Sequence, residues 1–227
     1  PAMRSSTHER LGHGLRRWWP LALLVLFGVG LRLFRLDRQS LWTDEAVSWS
    51  VSRLTLGEMM VLSEWDHHAP FYYLLLKVAL GVMPATDAGL RAVGVAASAL
   101  ALAAVLIFLA REWNRSAAIY AGILMVVSSF DLYYAQEARM YTLLAAAWII
   151  SYISLVKALQ GRPRWLILWA VTTTALAWTH MYGLLVVGAH FAFVVGYLIV
   201  KRLLRLTMPL ADRALVLALL AVGVAIL

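Results

Sequence analysis

Apolar residues run along this chain in long stretches separated by short clusters of charge. That is the pattern of helices which satisfy their own backbone groups in lipid, where about 20 mainly apolar residues span the hydrocarbon core. Residues 18–34, with Arg32 near their end, then 92–110, 116–130 and 140–156 read as spans. From Trp165 to Val200 the only ionisable side chains are His180, His190 and the tyrosines, and this run of 36 residues predicts a helical hairpin that turns at 179–183. A seventh span starts near Leu210.

Residues 71–83 are different, being only 13 residues with Lys77 in their middle. That length predicts an interfacial segment in which Lys77 snorkels to the surface while the aromatic and leucine side chains enter the acyl region. The positive-inside rule supports leaving it out of the span count. With seven spans and a cytoplasmic N-terminus over residues 1–17, the inner segments hold Arg4, Arg10, Arg16, Arg17, Arg111, Arg115, Lys157, Arg162, Arg164, Lys201, Arg202, Arg205 and Arg213, thirteen of the twenty basic residues. Asp37, Asp44, Glu45, Glu58, Glu64, Asp66, Asp87, Asp131 and Glu137, nine of the twelve acids, fall outside. Between the first two spans lies a long outer loop, 35–91, whose mix of apolar and polar residues at helical spacing predicts short helices on the membrane.

Composition agrees with an all-α polytopic membrane protein occupying residues 18–227. The chain is 63% hydrophobic and only 14% charged, against roughly a quarter charged in a soluble domain. Its net charge of +8 would suit nucleic acid only if the basic residues shared one solvated face, whereas they lie between apolar runs. The absence of cysteine removes disulfides, thiolate nucleophiles and Cys-based metal sites. Pro1 and Ala2 before Met3 read as a cloning scar, and the last apolar run stops at Leu227 without a polar flank, so a longer parent protein is expected.

Chemistry must then come from carboxylates, histidine, arginine or tyrosine. Asp44 and Glu45, in Leu-Trp-Thr-Asp-Glu-Ala, either cap a helix with Thr43 or serve as bases strengthened by a low-dielectric surround. Asp66, His67 and His68, before Ala69-Pro70, can bind a divalent cation, orient a phosphate or simply form a turn. In Tyr133-Tyr134-Ala135-Gln136-Glu137-Ala138-Arg139-Met140-Tyr141, Arg139 lies against the positive-inside bias and calls for a reason. It pairs with Glu137 or snorkels, or its planar fork holds a phosphate. His180 and Tyr182, at the predicted hairpin turn, complete the set.

Taken together, Asp44-Glu45, Asp66-x-His68-x-Pro70 followed by Phe-Tyr-Tyr-Leu-Leu-Leu, and Tyr-Ala-Gln-Glu-Ala-Arg-Met-Tyr resemble the GT-C class of integral-membrane glycosyltransferases. Within that class the protein O-mannosyltransferases and the bacterial aminoarabinose transferase of lipid A are the most similar. The resemblance runs from about Leu31 to Leu227, and the chain departs from it in having Ala69-Pro70 where two prolines often follow the histidine. It implies transfer of a sugar from a polyprenyl-phosphate donor to a glycan, lipid or protein acceptor on the periplasmic or extracellular face of the cell membrane. Asp44 would be the base with Glu45 beside it, and Asp66, His67, His68, Glu137, Arg139, Tyr141, His180 and Tyr182 would bind substrate. No cofactor is assigned, and a divalent cation stays open. A lipid or solute transporter is the rival reading, and would place ionisable residues near the bilayer midplane.

Overall fold

A computed structural model describes residues 2–66, 69–204, 215, 218, 222, 223 and 226, with side chains from residue 18 onward and outside 63–68. The seventh expected span, from Leu210, falls outside them apart from those last five positions. Among the described residues all regular structure is helical: α1 (Ala2–Leu33), α2 (Thr43–Arg53), α3 (Leu56–Asp66), α4 (Phe71–Leu80), α5 (Asp87–Glu112), α6 (Arg115–Val126), α7 (Ser129–Ala135), α8 (Tyr141–Leu159), α9 (Trp165–Thr179) and α10 (Met181–Leu203).

Three of these, α5, α8 and α10, are long and apolar enough to cross a membrane, and α6 with α7 makes a fourth if the pair counts as one span. Of the seven expected crossings, three or four therefore meet this length among the described residues. At 1.5 Å per residue the 15-residue α9 reaches only about 22 Å, short of the ~30 Å hydrocarbon core. Only 22% of the most apolar window of α10 is buried within the protein, and Leu26, Leu124, Ile167 and Leu185 are exposed on four different helices. Apolar surface so widely distributed suits a lipid solvent.

Residues 116–130, expected as one span, are instead broken by a 60° bend. Ser128 leaves the helical region and its side chain accepts from the Asp131 N–H, which starts a new helix. A broken helix frees carbonyls that need donors. Arg32 of α1 supplies one, donating from Nη2 to the Met125 carbonyl at 3.0 Å. The same guanidinium bonds Ser98 Oγ at 2.6 Å and the Gly28 carbonyl at 2.8 Å and forms an ion pair with Asp131, so this buried charge is fully partnered.

Side-chain pairs give the helices their relative direction. Arg111 lies over the Trp18 ring, and Glu112 pairs with both Lys157 and Arg162, which collects the start of the apolar part of α1 and the C-termini of α5 and α8 at one end. The opposite end carries the C-terminus of α1, the α7–α8 turn and the α9–α10 break. That break is a single residue, His180, and the chain then doubles back, since Trp169 Nε1 donates to His190 Nδ1 at 3.3 Å. The approach depends on Gly183, because a Cβ there would sit 2.0 Å from the Leu176 carbonyl oxygen.

Helix α4, expected as an interfacial segment, packs one face inward and leaves Val78 exposed on another. Tyr72, Tyr73 and Leu76 are buried in a core with Val51, Met59, Leu90, Val93 and Met140, and do not form an outward apolar face. Lys77 does not snorkel. Its Nζ donates to the carbonyls of Leu54 at 2.8 Å and Ser52 at 3.4 Å, satisfying the C-terminal end of α2. This contact holds α2 and α4 together under the candidate site.

Candidate functional site

The site is built on the N-terminus of α2 and on the turn between α7 and α8. The turn lies against α5 because position 94 is glycine: a Cβ there would come within 2.9 Å of the Ala135 carbonyl oxygen and 3.0 Å of that of Glu137. Ala135, Ala138 and Met140 are fully buried on this seat. The turn then presents the Ala138 N–H to α2.

Glu45 receives it. This carboxylate, with no exposed surface, takes the Arg91 fork at 2.8 and 2.7 Å, the Ala138 N–H at 2.8 Å and the Trp42 N–H at 3.4 Å. Burial pushes its pKa up, but the Arg91, Ala138 and Trp42 bonds together outweigh burial and hold it below 4.5. A carboxylate with its lone pairs so occupied is a weak base, and it ties α2 to the 135–139 turn. Arg91 meanwhile donates to the carbonyls of Leu36 and Gln39 at 2.8 Å, which fastens the α1–α2 loop to the same node.

Asp44 is its contrast. Neither it nor Thr43 caps α2, since the cap position is Trp42, with no side-chain capping bond. Its carboxylate is 42% exposed and faces Arg139 Nη2 at 3.7 Å, while Arg139 Nη1 reaches the Asp44 carbonyl at 3.4 Å. Arg139 itself is 5% exposed, and its Nε has no hydrogen-bond partner among the described residues. The hydroxyls of Tyr72 and Thr142, both buried, are in the same condition. Burial raises the Tyr72 phenol, and the nearby Arg139 charge opposes it. The result is a desolvated guanidinium held only by long contacts beside a neutral phenol.

Aromatic contacts extend the site toward the α9–α10 break. Arg139 lies over the Tyr141 ring at 5.9 Å, Tyr141 is 6.2 Å from the His180 ring, and His180 is 4.7 Å from Tyr182. His180 Nδ1 accepts from the Tyr182 N–H, so it also caps α10, while Tyr182 is largely exposed. Glu137 is buried, and burial is the main cause that raises its pKa, reinforced by Glu45 and opposed by a bond from Tyr133. It is not the ion-pair partner of Arg139.

Asp66 ends α3, but its side chain, like His67 and His68 entirely, lies outside the described residues. Among the described residues no three His, Asp or Glu side chains gather as metal ligands. Arg91, Tyr72 and Tyr133 are absent from the sequence-based set. The available signal was Arg91 four residues into an apolar helix, since an arginine placed there requires an acid.

No protein-family model matches this chain, no curated protein is detectably similar to it, and no solved structure matches it. What is established is the class: among the described residues, an all-helical protein with three to four helices of membrane-crossing length and a charged site at one end of the bundle.

Proposed function

We propose that this chain is the module of a GT-C-type glycosyltransferase, moving a sugar from a polyprenyl-phosphate donor to an acceptor at the outer face of the membrane. Arg139 binds the phosphate and Asp44 takes the proton of the acceptor. The observation that carries this reading is Arg139: a buried guanidinium with an unpartnered Nε and only long contacts to Asp44 is suited to an anion that can supply short, bidentate bonds. A positioned arginine in a water-poor site also stabilises charge on a departing phosphate. Asp44, next to it and partly exposed, is open to an acceptor hydroxyl or amine, and a general base of this kind contributes roughly 10²–10⁴-fold.

The test separates binding from transfer. The chain reconstituted in lipid nanodiscs is photo-crosslinked to a polyprenyl-phosphate analogue. Arg139→Ala should lose most of the crosslink and Asp44→Asn should keep it. Where the chain supports transfer, Asp44→Asn should abolish it. Equal crosslinking by wild type and Arg139→Ala would return the arginine to an interface role.

A further inference from the structure

A second basic site borders the Glu45–Arg91 pair, and Arg139 is not among its lining residues. It is a cavity of about 540 Å³ between the C-terminus of α1, the loop that follows and α7. Leu31, Phe34 and Leu132 form its apolar side, and Arg35 and Arg38 its basic side. Both arginines are exposed, and neither has a carboxylate within 4 Å among the described residues; Asp37, between them in sequence, pairs with neither.

The loop that carries them is built, not slack. Arg35 has φ +60°, a backbone conformation that costs a non-glycine residue free energy and persists only where its surroundings over-determine it. They do so from two sides. Gln136 Nε2 donates to the carbonyls of Arg32 at 3.1 Å and Phe34 at 3.0 Å, and Arg91 donates to those of Leu36 and Gln39. The carbonyls are thus turned toward the protein while both guanidinium groups stay outside. The acids that line the cavity do not cancel them, because Glu45 is spent on Arg91 and Glu137 is bonded by Tyr133 and disfavoured as an anion by its burial.

We propose that this cavity binds the phosphate-bearing headgroup of a membrane lipid, with Arg35 and Arg38 on the phosphate and the first part of the acyl or prenyl chain against Leu31, Phe34 and Leu132. Charge complementarity selects the phosphate, and the adjoining apolar side selects a lipid over a free anion. Phe34 is 66% exposed and Trp42, also on the cavity, 47%, as suits aromatic side chains at a lipid boundary. The site does not depend on whether the chain transfers sugar.

The experiment is native mass spectrometry of the detergent-purified chain titrated with phosphatidylglycerol or with phosphatidylcholine, whose headgroup carries no net charge. Wild type should retain phosphatidylglycerol at least tenfold more tightly. The Arg35→Gln/Arg38→Gln double variant should lose that preference, and Leu132→Trp, which places a bulky ring on the apolar part of the lining and leaves both charges, should weaken it. Arg164→Gln, which removes a charge at the opposite end of the bundle, should keep it. Equal retention of the two lipids, or an unchanged preference in the double variant, overturns the site. Displacement of phosphatidylglycerol by an equal concentration of inorganic phosphate overturns its assignment to a lipid.

Discussion

Replacing Arg91 by methionine removes the fork from Glu45 and leaves a fully buried carboxylate with only the Ala138 and Trp42 N–H groups. It also frees the carbonyls of Leu36 and Gln39. Losing one member of a buried ion pair costs about 3–5 kcal/mol, because the survivor's charge stays desolvated. At about 2–4 °C per kcal/mol for a chain of this size, the unfolding midpoint should fall by roughly 6–20 °C. Thermal unfolding in detergent, followed by tryptophan emission, reads this directly. Glu45→Gln/Arg91→Met should be less damaged than Arg91→Met alone, since no buried charge then remains. The pH dependence has a definite sign. The folded pKa of Glu45 lies below its ordinary 4.5, so the pair's contribution is complete above that pH and fades as pH falls through the folded value. A fall in the midpoint of less than about 2–4 °C, equivalent to under about 1 kcal/mol, or a double variant no better than the single, would refute the assignment of Glu45 and Arg91 as the node of the site.

Glu137 has the opposite sign: its folded pKa is raised, so ionisation costs stability increasingly as pH climbs above 4.5, and Glu137→Gln should gain over wild type from acid to neutral pH. A gap that stays flat across that range would remove the burial argument. Gly94→Ala forces the 135–139 turn away from α5 and should cost about 1–3 kcal/mol while weakening polyprenyl-phosphate crosslinking, read by melting and crosslinking together. Single cysteines introduced at 44, 139 and 180 should label from one face of the membrane, and those at 115 and 162 from the other. Labelling of 44 and 139 from opposite faces would dismantle the site.

Periodicity made some elements legible and left others hidden. The run at 92–110 lies within α5, that at 140–156 matches α8 to within one residue at its start, and the polar cluster at 179–183 marked the break at His180, because hydrophobic length and punctuation are local properties. The bend after Val126 was not legible, since Val-Val-Ser-Ser is tolerated inside a lipid helix and only Arg32, far away in sequence, makes the break affordable. Lys77 was misread for a similar reason. Snorkelling is what a lone lysine does on an isolated segment, and its real partners are carbonyls at the end of a different helix. In the site, residue types pointed to the region, but the division of labour between adjacent Asp44 and Glu45 depends on Arg91, 46 positions further on.

The pairing of Arg32 with Asp131 has a consequence for how the chain is made. The two are 99 residues apart, so at about 5–20 residues per second the arginine waits on the order of 5–20 s for its aspartate. During that interval the last turn of α1 carries a guanidinium that lacks its carboxylate and also the Ser98 and Met125 oxygens it later bonds. The buried partners of Arg32 are therefore complete only when the sixth and seventh helices have been made. Although it is made first, the C-terminal turn of α1 takes its final packing from residues made about a hundred positions later.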